Sequence, residues 1–112
     1  MGRLKRLARW ILPWRGRTQW HVSEVVTSIH DLPRRIPRKT AVLVTNGRIM
    51  KWIAFDCPCR EGHRVLLNLN TNIRPHWTVK SSSPLTISPS IDELRAKKRC
   101  HYLIKNGHID WT

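Results

Sequence analysis

The sequence predicts a small, mainly β protein, with a small α+β arrangement as the alternative. About seven short strands are expected, with two Asn-Gly hairpins around a structural zinc site and an amphipathic N-terminal helix. Three observations carry this expectation. Asn46-Gly47 and Asn106-Gly107 each lie between apolar β-formers, VLVTNGRI at 42–49 and YLIKNGHI at 102–109. Asn-Gly in such a setting is the strongest short hairpin signal. Three cysteines and two histidines gather in two clusters, each beside one of those hairpins. After residue 17, short β-branched runs alternate with stretches rich in Pro, Ser, Asn and Gly.

The chain has 112 residues, the size of one domain with one modest core. Residues 1–17 stand apart from the domain expected over 18–112. They carry Arg3, Lys5, Arg6, Arg9, Arg15 and Arg17 and no acid. At about 100° per residue, Leu4, Leu7, Ala8, Ile11 and Trp14 share one side and Lys5, Arg6 and Arg9 the other. The pattern is a basic amphipathic helix that Pro13 ends. It packs on its own domain or serves as an appendage for an anionic surface, with Arg3, Lys5, Arg6 and Arg9 as contacts. Arg9 and Pro13 argue against a secretory signal, and no run reaches the ~18 apolar residues of a membrane span.

Residues 18–29 read as a strand. Residues 30–39 hold two prolines and four cations and read as an extended loop, whose Arg34, Arg35, Arg38 and Lys39 are candidate anion contacts. In each hairpin a two-residue Asn-Gly turn is expected. It pairs Thr45 with Arg48 and Val44 with Ile49 in the first. In the second it pairs Lys105 with His108, Ile104 with Ile109 and Tyr102 with Trp111, an aromatic cross-strand pair. Between them RVLLNLN (64–70), HWTVK (76–80) and LTISPSI (85–91) read as strands. Ser81–Pro84 reads as a loop and 92–98 as one helical turn, capped by Asp92 and Glu93.

Phe55-Asp56-Cys57-Pro58-Cys59-Arg60-Glu61-Gly62-His63 is the chemical centre of the sequence. Cys57 and Cys59 project to one side in extended backbone, and Gly62 permits a turn that brings His63 back towards the sulfurs. Cys100-His101 supplies the second cluster. Three thiols and one imidazole suit tetrahedral zinc, which staples small domains. The expected ligands are Cys57, Cys59, His63 and Cys100, with His101 as the alternative to His63. Three free thiols and a redox or nucleophilic role are the competing readings. Cys-Pro-Cys lacks the spacing of a thioredoxin-like pair, no glycine-rich phosphate loop is present, and the seven carboxylates form no evident pair. These absences lead to the expectation that the protein is not an enzyme and takes no small-molecule substrate.

Phe55–Cys59, Gly62-His63, Leu66–Leu69, Pro75 to Trp77, Ile87–Ile91, Cys100-His101-Tyr102, Asn106-Gly107 and Trp111 together resemble a family of small bacterial proteins known as domain of unknown function 6527. The resemblance covers roughly residues 40–112. Arg60-Glu61 and the direct adjacency of Cys100 to His101 depart from that family's pattern and strengthen His63 as fourth ligand. The resemblance implies a setting beside bacterial ubiquitin-like conjugation parts: an E1-like adenylating enzyme, an E2-like protein and ubiquitin-like repeats.

Lys and Arg number 21 against 7 Asp and Glu, a formal charge of +14. Such a chain favours anionic partners. The expected function is therefore a non-catalytic, cytoplasmic zinc adaptor of a ubiquitin-like conjugation or anti-phage system, bound to an E1-like, E2-like or ubiquitin-like protein. The alternative is a basic zinc-containing protein that binds nucleic acid without sequence preference. A membrane surface is a further partner open to residues 1–17.

Overall fold

The computed structural model describes residues 19–95 and 98–112. Eight strands form two four-stranded sheets. The first has the order β1 (His21–Val26), β2 (Thr40–Asn46), β3 (Ile49–Asp56), β4 (Arg64–Asn68). The second has the order β5 (Thr78–Ser82), β6 (Leu85–Arg95), β7 (Lys98–Lys105), β8 (His108–Trp111). β1 runs parallel to β2, and every other pairing is antiparallel. Among the described residues the only helical element is a single 3-10 turn, Ile29–Asp31. The expected N-terminal helix at 1–17, with its Arg3, Lys5, Arg6 and Arg9, lies outside the described residues.

The main core lies between the two sheets. Ile53, Phe55, Val65 and Leu67 from the first meet Leu85, Ile87, Ile91, Tyr102 and Ile104 from the second. Trp20 closes one end, its ring edge-on to Phe55 at 5.6 Å. A smaller cluster of Ile36, Val42 and Ala54, flanked by Val26 and Leu32, covers the outer face of the first sheet. The 29–38 loop thus lies over β2, which is buried on both faces from Ala41 to Val44. That double burial explains an unbroken apolar run where a half-exposed strand would alternate.

The second hairpin has the expected register, with Lys105 opposite His108, Ile104 opposite Ile109 and Tyr102 opposite Trp111. Both turn residues take positive φ, Asn106 at 52° and Gly107 at 78°, as a type I′ turn requires. The first hairpin differs. Asn46 pairs with Ile49 and Thr45 with Met50, so Gly47-Arg48 form the turn. A bulge then brings Leu43 opposite Ile53 and Val42 opposite Ala54. The expected register would have turned Ile53 and Phe55 away from the second sheet. Strand burial overrode local turn chemistry. The other correction concerns 92–98. It is no helical turn: β6 continues through Asp92 and Glu93 to Arg95, and β7 begins at Lys98. Pairing with β7 supplies hydrogen bonds that one isolated helical turn could not.

Gly107 sits in a tight backbone junction. Trp20 N donates to Gly107 O, Gly107 N to Leu85 O and Leu85 N to Trp20 O, each at 2.8 Å. A Cβ at Gly107 would stand 2.7 Å from Gln19 Cβ and 3.1 Å from Pro84 Cβ, whereas one at Gly47 would meet nothing within 4 Å. Gly107→Ala is therefore expected to cost about 2–4 kcal/mol, combining positive-φ strain with overpacking. Gly47→Ala should cost only the strain, about 1–2 kcal/mol. Thermal denaturation of the two variants measures the difference, and equal losses would refute the junction's role.

Candidate active site and metal centre

The candidate metal centre grows out of the end of β3. Cys57 N donates to His63 O at 2.7 Å and Gly62 N to Cys59 O at 3.1 Å, closing the 57–63 segment into a knuckle. Gly62 takes φ 61°, which a side chain would resist. On β7, Cys100 faces inward beneath it. One ligand atom each from Cys57, Cys59, His63 and Cys100 lies within 4.8 Å of all the others. Tetrahedral zinc, with bonds of about 2.0–2.3 Å, would hold such donors about 3.3–3.8 Å apart, so a small inward movement seats the ion. His63 Nδ1 is 3.5 Å from Cys59 Sγ.

The electrostatics of the cluster point the same way. Burial pushes the Cys57 thiol up, and burial reinforced by the other two cysteines pushes Cys100 up to about 12. At Cys59 burial also pushes upward, but backbone hydrogen bonds at Gly62 and Glu61 help bring the net direction below the ordinary thiol value. Three crowded sulfurs resist joint ionisation unless a cation joins them, and a dication reverses that resistance. Tyr102, whose own ionisation is suppressed first by burial, keeps its hydroxyl proton and stands 3.3 Å from Cys57 Sγ. His63 Nε2 is buried without a hydrogen-bond partner among the described residues, and Glu93 Oε1 lies 4.0 Å away. A ligating histidine commonly has a carboxylate behind its second nitrogen. These four residues could hold a metal ion.

His101 lies elsewhere. Successive residues of a strand face opposite ways, so Cys100 enters the core cluster and His101 turns outward. Its Nε2 lies 3.1 Å from Ser90 Oγ. A bulge creates this meeting. Ile87 pairs with Ile104 and Ile91 with Tyr102, so Ser88, Pro89 and Ser90 occupy the space of one residue on β7. Bulges re-aim side chains and occur beside active sites. Trp77 Nε1 holds the bulge by donating to Ser90 O at 3.1 Å. Thr112 N holds the histidine by donating to His101 O at 3.0 Å. Asp92 is the cross-strand partner of His101. Hydrogen bonds from Arg99 at 2.7 and 2.8 Å hold the Asp92 carboxyl below the usual range, and it stays ionised beside the imidazole.

β5 pairs with β6 only as far as Ser88, leaving no strand on that edge of β6 beyond the bulge among the described residues. Ser90 and His101 are both partly buried. Theirs is the only Ser–His side-chain hydrogen bond among the described residues. A hydroxyl within hydrogen-bond reach of an imidazole is the arrangement of an activated serine nucleophile.

The sequence model of the family described as "Bacterial ubiquitination-like system serine protease (BubE)" matches residues 28–112. The chain belongs to the BubE family. No curated protein and no solved structure matches it. The BubE match links the chain to a bacterial ubiquitination-like system, the kind of setting the sequence resemblance implied. It overturns the expectation of a non-enzyme adaptor, because the BubE family is described as a serine protease. The matched span contains Ser90, His101 and all four residues of the metal cluster, whereas residues 1–17 precede it.

Ser90 was not among the residues singled out from sequence. Its signal was Pro89 within an otherwise strand-like run, since proline inside a paired strand marks an edge or a bulge. His101 was singled out as the alternative metal ligand; the structure sets it against Ser90, outside the cluster of Cys57, Cys59, His63 and Cys100. Of the candidate anion contacts, Arg34, Arg35 and Arg38 are exposed, and Lys39 is partly buried at φ 66°.

Proposed function

We propose that the protein is a serine peptidase acting on protein substrates of a bacterial ubiquitin-like system, with Ser90 as nucleophile and His101 as general base. The observation that carries this reading is the 3.1 Å contact between Ser90 Oγ and His101 Nε2. In the reaction Ser90 Oγ passes its proton to His101 Nε2 and attacks the scissile carbonyl. His101 then gives that proton to the departing amine, leaving an ester on Ser90. Water, deprotonated by His101, cleaves the ester and restores the serine. Asp92, held ionised by Arg99, is the cross-strand neighbour of His101. Beyond Ser90, whose carbonyl Trp77 occupies, the edge of β6 is covered by no strand among the described residues and suits an extended peptide.

The bound metal in this reading is zinc, held by Cys57, Cys59, His63 and Cys100. Four protein ligands leave no open position, so zinc contributes structure. It anchors β7 at the residue before the base.

A fluorophosphonate probe tests the proposal directly. Mass spectrometry of the labelled protein is expected to place the phosphonyl group on Ser90. His101→Ala should slow labelling by about 100-fold or more, the scale of losing a general base. Label on another serine, or none, would end this assignment.

A further inference from the structure

Between the 29–38 loop and the outer side of the 57–64 segment, which includes the knuckle, lies a depression of about 760 Å³. Its rim carries Arg34, Arg35, Arg38 and Arg60, with Ile29 and Leu32 in the wall. We propose that this depression binds an acidic segment of a protein partner, through carboxylates set against the four guanidinium groups. The inference stands on the surface alone and does not require Ser90 to be a nucleophile.

The backbone that carries Arg34 and Arg35 is held in place by a clasp beneath it. Arg64 Nε donates to Asp56 Oδ1 at 2.9 Å, and Arg64 Nη2 donates to Pro33 O at 2.8 Å and Arg34 O at 3.0 Å. Asp56 Oδ2 accepts from Ile36 N at 3.2 Å, while the Ile36 side chain is buried against Val42 and Ala54. The loop is therefore tied to the sheet at three backbone positions, Pro33 O, Arg34 O and Ile36 N, and by one buried side chain. Arg60 sits in the metal knuckle, a second rigid element.

The same clasp consumes the anion that would otherwise neutralise the loop. Two carboxylates line the depression, Asp56 and Glu61. Asp56 is spent on Arg64 and Ile36, leaving one carboxylate for four guanidiniums. The guanidinium groups of Arg34, Arg35, Arg38 and Arg60 make no hydrogen bond or ion pair among the described residues. Arginine forks pair carboxylates bidentately, and cations presented without prior ordering cost bind more tightly than those on a mobile tail.

Phosphate could in principle use the same cations, but the wall argues for a peptide. Single-stranded nucleic acid is gripped by aromatic side chains that stack its bases. None of the residues lining the depression is aromatic. Ile29 and Leu32 instead offer aliphatic surface for the apolar side chains that flank acids in a protein segment.

Fluorescein-labelled hexaglutamate, followed by anisotropy with the full chain, tests the proposal. The triple variant Arg34→Glu, Arg35→Glu, Arg38→Glu is expected to weaken binding by about ten-fold or more. A control with the same charge change at exposed sites elsewhere, Arg48→Glu, Lys80→Glu, Lys105→Glu, should weaken it by no more than about three-fold. Melting curves establish that both variants fold, and Arg34→Ala, Arg35→Ala, Arg38→Ala serves if the first does not. Equal losses in the two triple variants would reduce the effect to net charge and overturn the proposal. Tighter binding of a uridine hexanucleotide than of hexaglutamate, lost in the pocket variant, would also overturn it in favour of RNA.

Discussion

Ser90→Ala is expected to lower kcat for cleavage of a ubiquitin-like substrate by about ten thousand- to a million-fold, the scale seen when a nucleophile acting as one unit with its base is removed. The fold should survive. Ser90 is partly buried and its hydroxyl makes one hydrogen bond, to His101, worth about 1 kcal/mol. The melting curve should therefore barely move while activity disappears. His101→Ala should be nearly as damaging, and the double variant no worse than Ser90→Ala alone, because the two groups share one step. Ser88→Ala is the control: Ser88 pairs with Thr78 and lies two residues from the nucleophile. It should retain most activity. Cleavage that persists in Ser90→Ala, or is lost equally in Ser88→Ala, would remove Ser90 from the mechanism.

The second large effect concerns the metal. The purified protein is expected to hold about one zinc per chain. A strong chelator, or Cys57→Ser, should release it and unfold or greatly loosen the domain. Structural zinc contributes about 10–16 kcal/mol of apparent binding free energy in small domains. Whole domains are stable by only about 5–15 kcal/mol. The histidines should separate cleanly. His63→Ala should lose metal and stability together. His101→Ala should keep both and lose only catalysis. A metal-free protein with an unchanged melting curve would rule out a structural centre, and zinc release from His101→Ala would exchange the two assignments.

The metal cluster was legible because its chemistry is written in residue types: thiols are scarce, and a glycine turn beside them is visible in sequence. The second hairpin was legible because Asn106 and Gly107 agree with the strand pattern around them. At the first hairpin, turn chemistry and the burial of Ile53 and Phe55 disagreed, and long-range packing prevailed. Asp92 and Glu93 looked like helix caps since nothing local revealed that β7 would return alongside them. Ser90 was hidden for a deeper reason. Serine is common in loops, and what sets Ser90 apart is one imidazole that the β6–β7 register brings beside it. Sequence also hid the Asp56–Arg64 clasp, whose partners become neighbours only when β3 and β4 pair.

Cys100 and His101 are adjacent residues with different neighbours, three ligand-bearing side chains for one and Ser90 for the other, and a strand separates them by side alone. Sliding β7 one position along β6 would exchange them, putting the imidazole among the sulfurs and a thiol against Ser90. Intermediate alignments of that kind retain most ladder hydrogen bonds, so backbone pairing alone discriminates poorly against them. An ion gripped through Cys100 accepts one alignment and rejects its neighbours. Metal loading would then act as a proofreading step in maturation: an ion held through Cys100 would add to the burial of Tyr102 and Ile104 in keeping Ser90 and His101 in phase. Proteolytic competence would follow metal supply, and newly made chains would stay inert until loaded.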